Sequence, residues 1–198
     1  MPRGWFARPV LEVARDLLGT HIVSERGPLR RVGRIVEVEA YDGPHDRASH
    51  ARVGPTGRTA PMFGEPGHAY VYLVYGMHHC LNVVAHPAGR ASAVLIRAVE
   101  PIAGESGVAP ARVAAGPGLV GRWLAVDRSC SGLDLTLGHR LWLAPGERVA
   151  DADLLTGPRI GVAYAGPDWA GLPWRLGVRG AAALSRPFPR ATLRAEGD

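Results

Sequence analysis

Glu37 and Glu39 stand two residues apart in the run Glu37-Val-Glu-Ala-Tyr-Asp-Gly-Pro44, with Tyr41 two further on. In an extended strand alternate side chains share a face. Glu37, Glu39 and Tyr41 therefore point one way, and Val36, Val38 and Ala40 the other. Two acids and a tyrosine do not make a core face, so the side they occupy is either solvent or a site. Four of the five tyrosines (Tyr41, Tyr70, Tyr72 and Tyr75) fall within residues 41–75. A soluble core rarely gathers them in this way, because each buried hydroxyl needs a partner. Aromatic faces near arginines form a platform on which nucleic-acid bases stack. The structural alternative is a tyrosine-rich strand whose rings pack on their neighbours.

All 23 basic residues are arginine and none is lysine, so no side-chain amine can form a Schiff base. Genomic base composition is the plain explanation expected for the bias; its chemical consequence holds either way. His78, His79, Cys80 and His86 are of metal-ligand type. In a strand, however, 78 and 80 share a face and 79 does not, which makes a poor tetrahedral set. Cys80 and Cys130 form no CxxC pair, so neither a zinc ribbon nor a disulfide framework is indicated. No metal and no cofactor is expected.

The elements that must position these residues follow from periodicity. Residues 9–18 space Val10, Leu11, Val13, Ala14, Leu17 and Leu18 as a helix, stopped by Gly19. Strands are expected at His21–Ser24 and, after Arg30–Arg34, at Ile35–Tyr41. Residues 42–67 are rich in Gly, Pro and polar groups and read as a long loop with one helical turn near Asp46–Ala51; loops of this length in compact domains are often functional. Ala69–Tyr75 and Cys80–Ala85, broken at Gly76-Met77, predict a hairpin. Further strands are expected at Ala93–Val99, Leu141–Leu143, Ile160–Ala163 and Val178–Gly180, and a helix at Leu119–Val126. Residues 103–117 are small and flexible in composition, and the chain after Pro187 reads as a tail. No βαβ rhythm occurs, so the fold class is mixed α/β (α+β) with mostly antiparallel strands.

The 198 residues suffice for one domain with a sizeable core, and no repeat or boundary divides them. With 26 glycines and 17 prolines, a loop-rich fold is expected rather than a helical bundle. A net charge of +5 is compatible with a polyanionic partner. No apolar run reaches the length of a membrane span, and the N-terminus lacks the apolar stretch of a signal peptide, so a cytoplasmic, nucleoid-associated protein is expected.

The strings EAYDGP, MFGEPGHAYVYLVYGMHHCLN and LIRAVEP occur together and in this order. They resemble the alkyladenine (3-methyladenine, or methylpurine) DNA glycosylase family in its bacterial form, with similarity running from about residue 9 to about residue 188. The resemblance implies a single domain over residues 1–198, with 189–198 as a tail. It implies a curved antiparallel sheet or open barrel with flanking helices and a protruding hairpin that enters DNA. It also implies a monofunctional enzyme of base excision repair. Such an enzyme flips damaged purines of the 3-methyladenine, 7-methylguanine, hypoxanthine and ethenoadenine class out of duplex DNA and hydrolyses the N-glycosidic bond.

Carried onto this chain, the resemblance makes Glu39 the general base that deprotonates a water attacking the sugar C1′ carbon. A carboxylate also stabilises the oxocarbenium character of the breaking bond. Arg97 would hold Glu39 and the water. Tyr41, His50 and Tyr72 would be the walls that sandwich the extruded base, with cation–π attraction for cationic lesions and stacking for neutral ones. Asn82 would reject guanine by clashing with its exocyclic amine. Tyr75, at the hairpin tip before Gly76, would wedge into the gap in the duplex, with Met77 beside it in the groove. Glu37 is read as an exposed or structural acid. Arg122 and Arg159 are candidate DNA-backbone contacts.

In the segment Gly116-Pro-Gly-Leu-Val-Gly, Leu119 stands where the family usually has lysine, which puts one backbone contact in doubt; Arg122 could compensate. A lyase would need the amine that removal of Met1 exposes on Pro2, but the residues that follow do not resemble formamidopyrimidine glycosylases. The partner expected is double-stranded DNA with damaged purines, bound by a monomer, with no membrane. The alternative from another class is a non-catalytic nucleic-acid-binding domain on a similar open barrel. Against it, a binding module has no reason to turn an acid towards a polyanion.

Overall fold

The strand expected at Ile35–Tyr41 is the second half of the longest strand of the protein, which begins at Leu29. The computed structural model describes residues 1–102 and 111–189. Its strands, in chain order, are β1 (His21–Arg26), β2 (Leu29–Tyr41), β3 (Ala69–Val74), β4 (His78–Ala85), β5 (Ser92–Pro101), β6 (Leu141–Ala144), β7 (Leu154–Gly157) and β8 (Arg175–Val178). The α-helices are α1 (Val10–Leu17), α2 (Pro117–Trp123) and α3 (Pro167–Ala170).

Every strand pairing is antiparallel, in the order β3-β4-β5-β2-β1-β6. The sheet forks at β2. One edge of β2 bonds to β5, while the other bonds first to β1 and then, at Glu37–Glu39, to β8, which in turn pairs with β7. The sheet does not close into a barrel, since β3 and β6 are the free ends of the bonded path.

The apolar face of β2 (Val36, Val38, Ala40) packs with Leu81, Val83, Val94 and Ile96 of the neighbouring strands and with Val10, Val13, Ala14 and Leu17 of α1. Full burial of side chains of this size contributes about 1.5–3 kcal/mol each. The opposite face is left for polar groups. Helix α1 ends at Leu17, and the chain turns away at Gly19, whose φ of 85° suits glycine and where a Cβ would lie 2.0 Å from the Glu147 carbonyl oxygen. Helix α2 lies hard against β4, because a Cβ on Gly121 would meet the His79 carbonyl oxygen at 1.9 Å.

The expected helices and most expected strands are found within a few residues of their predicted bounds. The strand expected at Ile160–Ala163 is not formed: the chain instead makes β7, which ends at Gly157 directly before Pro158, and 160–162 is a loop. Its apolar alternation misled because Pro158 lacks an N–H and Gly161 takes φ 78°, so the ladder cannot continue. The long loop carries two 3₁₀ turns, His50–Val53 and Ala60–Phe63, rather than one at 46–51. Much of the flexible stretch expected at 103–117, and the tail beyond 189, lie outside the described residues. Phe188 is no loose tail: its ring lies 3.8 Å from the Arg175 guanidinium.

Candidate active site

Cross-strand partners share a face of a sheet. Glu39 of β2 faces Leu95 of β5, Leu95 faces Asn82 of β4, and Asn82 faces Tyr70 of β3. Tyr41 and Tyr72 lie on the same face, two residues along. The polar side of β2 is therefore continuous across four strands. It floors a cavity of about 560 Å³ lined by, among others, Glu39, Tyr41, His50, Tyr72, Asn82 and Arg97. Sequence periodicity left this face as either solvent or site. Glu37 and Glu39 are both fully buried, which excludes solvent.

Arg97 comes to the acids through irregular pairing. Between Ile35 and Val38 the register of β2 against β5 shifts twice, and Arg97 has no direct partner on β2. Such bulges re-aim side chains. Arg97 Nη1 pairs with Glu39 Oε1 at 3.1 Å and its Nε donates to Glu37 Oε1 at 3.0 Å. Burial opposes charge on this guanidinium, but the facing Glu39 and Glu37 outweigh it and raise its pKa. Glu37 also accepts from Arg175 Nη1 at 3.2 Å, Ser185 Oγ at 2.7 Å and the Ser185 N–H at 2.6 Å. It is a structural acid and not an exposed one.

Glu39 receives two hydrogen bonds besides the ion pair. The Ile160 N–H donates to Oε1 at 2.7 Å, and the Tyr41 hydroxyl donates to Oε2 at 2.9 Å. Burial, and then the negative Glu39, push the Tyr41 phenol well above its ordinary pKa, so it stays a donor. Burial does the same for Tyr72, with Cys80 and Tyr70 adding to it.

His50 Nδ1 lies 3.0 Å from the Tyr70 hydroxyl, and its ring meets Tyr72 edge-on, with centroids 4.6 Å apart at 83°. His50 and Tyr72 therefore touch and form one corner of the cavity. Burial, then Arg58 and Arg52, lower the His50 pKa to about 4, which leaves the ring neutral near pH 7. The Asn82 amide donates to the Tyr70 carbonyl at 3.0 Å, which fixes its orientation.

At the hairpin tip Tyr75 is 89% and Met77 71% exposed, and Tyr75 also lines the cavity mouth. Arg122 is exposed on α2. Arg159 does not fit its reading as a DNA-backbone contact. It is 5% exposed, and its guanidinium is spent on Asp46 at 2.5 and 3.0 Å. A loop arginine beside a proline gave no sign of burial, because the acid that pairs with it is 113 residues away.

Sequence reasoning missed the loop 160–164. Its Ile160 N–H reaches Glu39, and Tyr164 lines the cavity with its hydroxyl on the Ala48 carbonyl at 2.9 Å. It also missed Arg58, whose guanidinium lies 5.3 Å over the Tyr72 ring. The first is a backbone donor and carries no side-chain signal. Tyr164, the one tyrosine outside the cluster, was a signal that could have been followed.

The cavity thus brings together a buried carboxylate, its paired arginine and neutral aromatic walls. The model of the methylpurine-DNA glycosylase family matches residues 4–182. The chain is 53% identical over 192 residues to a protein of Anaeromyxobacter dehalogenans strain 2CP-C, covering 96% of this chain and 88% of that one. It is 49% identical over 197 residues to one of Myxococcus xanthus strain DK1622, covering 96% and 95%. A protein of Methanocella arvoryzae is 44% identical over 197 residues, covering 96% and 97%. Each of these is provisionally named a 3-methyladenine DNA glycosylase. The chain belongs to the methylpurine-DNA glycosylase family, DNA-repair hydrolases that cleave N-glycosyl bonds.

Proposed function

We propose that this enzyme flips a damaged purine from duplex DNA into the cavity above Glu39 and hydrolyses its N-glycosidic bond with a water activated by that residue. The observation that carries the reading is the setting of Glu39. A carboxylate is buried on the cavity floor with a cation and a hydrogen bond on Oε1 and a phenol on Oε2. A group held in this way is fixed in orientation. It can accept a proton from water and stabilise positive charge developing at the sugar.

The walls suit a neutral or cationic purine. Tyr41, Tyr72 and His50 are uncharged near pH 7, so neither kind of lesion meets a like charge from them. Alkylated purines, hypoxanthine and ethenoadenine are the substrate class. Asn82, held by the Tyr70 carbonyl, is the group that excludes the guanine amine. Tyr75 fills the gap in the duplex and Met77 lies beside it. Arg122 is one backbone contact. With no lysine in the chain, strand scission through a Schiff base lacks its side-chain nucleophile, and the enzyme is monofunctional. It acts on DNA as a monomer.

The test is release of hypoxanthine and 3-methyladenine from end-labelled duplexes by wild type and Glu39→Gln. The variant is expected to bind the lesion duplex normally and to lose at least about 100-fold in single-turnover rate, the range seen when a general base is removed. Equal excision by the two proteins would remove Glu39 from its role.

A further inference from the structure

Arg159 and Asp46 form a buried ion pair that the chemistry does not use directly. Both side chains are fully shielded from solvent. The guanidinium also donates to the Ala40 carbonyl at 3.0 Å and the Trp169 carbonyl at 3.2 Å. It lies over two rings, with its carbon 4.8 Å from the Tyr41 centroid and 4.9 Å from that of Trp174. Asp46 in turn accepts from the backbone N–H groups of Asp42 at 3.2 Å and Ala48 at 2.9 Å.

These contacts converge on Glu39. Its two hydrogen-bond donors among the described residues are the Ile160 N–H and the Tyr41 hydroxyl. Ile160 is the residue next to Arg159. Tyr41 follows Ala40, whose carbonyl Arg159 holds, and its ring lies on the guanidinium. The same pair ties down the loop that leads to His50 through Asp46 and Ala48, and the Ala48 carbonyl anchors Tyr164. One planar cation thus fixes the β2 backbone, the 160–164 loop and the 42–48 loop to one another. A guanidinium suits this post because it donates in several directions in one plane and stacks on both faces, which an ammonium cannot do.

We infer that the Arg159–Asp46 pair is a positioning element for catalysis. It sets the two donors that orient Glu39, so that its loss slows bond cleavage without weakening the grip on the duplex. This rests on the reading of Glu39 as the base. The test uses two variants. Arg159→Lys keeps the charge but loses the fork and the stacking. Asp46→Leu combined with Arg159→Met replaces the pair by apolar volume, an exchange that buried pairs often tolerate without loss of stability. Two quantities are read for each: the single-turnover excision rate of a hypoxanthine duplex at saturating enzyme, and the Kd for a duplex carrying a tetrahydrofuran abasic analogue.

The expected result is a rate at least tenfold below wild type with a Kd within twofold. Three results would overturn the proposal. They are a rate within twofold of wild type in either variant, loss of rate and binding in the same proportion, or failure of both variants to fold, which would assign the pair to the core alone. Glu39→Gln run alongside separates the two ideas. If it excises normally the base reading falls. If it is inactive while Arg159→Lys is unimpaired, only the positioning role falls.

Discussion

His50 is a titratable group that the fold keeps uncharged. In the folded protein it takes a proton only near pH 4, because it is buried and faces Arg58 and Arg52, whereas an unconstrained imidazole takes one near 6.5. Below about 6.5 the unfolded chain therefore binds a proton that the folded chain refuses, and acid favours unfolding. The stability that neutral His50 contributes is complete above that pH and is lost as pH falls towards about 4. His50→Gln removes this contribution. Its Tm deficit relative to wild type at pH 7 should narrow steadily between pH 6.5 and 4. A gap that stays constant across the range would show that His50 is not held neutral. At this scale the sequence was informative about residue types. Alternation alone put Glu39 and Tyr41 on one face and apart from Val38 and Ala40. It could not say whether that face was wet. That depended on Arg175 and Ser185, over 130 residues away, which close over Glu37.

The hairpin of β3 and β4 shows what an element adds to its residues. The Met77 N–H bonds to the Val74 carbonyl at 3.2 Å, so Tyr75 and Gly76 are the central residues of the turn, both with positive φ, 52° and 70°. Turns of this hand match the twist of paired strands. Glycine adopts the conformation freely. Tyrosine does so at a cost of about 1–2 kcal/mol. A strained and exposed aromatic residue at a tip signals that the ring is kept for a task other than stability. Tyr75→Asn should therefore separate the two properties. Asparagine tolerates the left-handed region, so the unfolding free energy from urea titration should hold or rise by up to about 1 kcal/mol. Affinity for a duplex with a tetrahydrofuran site should fall at least tenfold. Unchanged affinity would count against the wedge. The hairpin was legible from Gly76-Met77 between two β-rich runs. The 160–164 loop was not, because its apolar alternation imitated a strand while its role is to turn a backbone N–H towards a carboxylate.

Across the whole molecule, β2 is the member that makes core and site from one strand. Its apolar side packs on α1 and the neighbouring strands, and its polar side meets two sets of arginines. Glu37 belongs to the set that holds the molecule together. Through Arg97, Arg175 and Ser185 it joins β2, β5, β8 and the segment that returns across the sheet at 183–188. Glu39 belongs to the set that serves the cavity. Substituting the two acids should therefore give opposite results. Glu37→Ala leaves Arg175 buried without its carboxylate and Arg97 with one carboxylate instead of two. Breaking a buried ion pair in this way costs about 3–5 kcal/mol, read as a lower urea midpoint with an unchanged slope. Glu39→Gln keeps the shape and leaves Arg97 paired with Glu37, so its unfolding free energy should stay within about 1 kcal/mol of wild type while excision is lost. If Glu37→Ala proved as stable as wild type, the sheet would be held by its apolar face alone. The arginine network on the other face would then have been built for the cavity throughout.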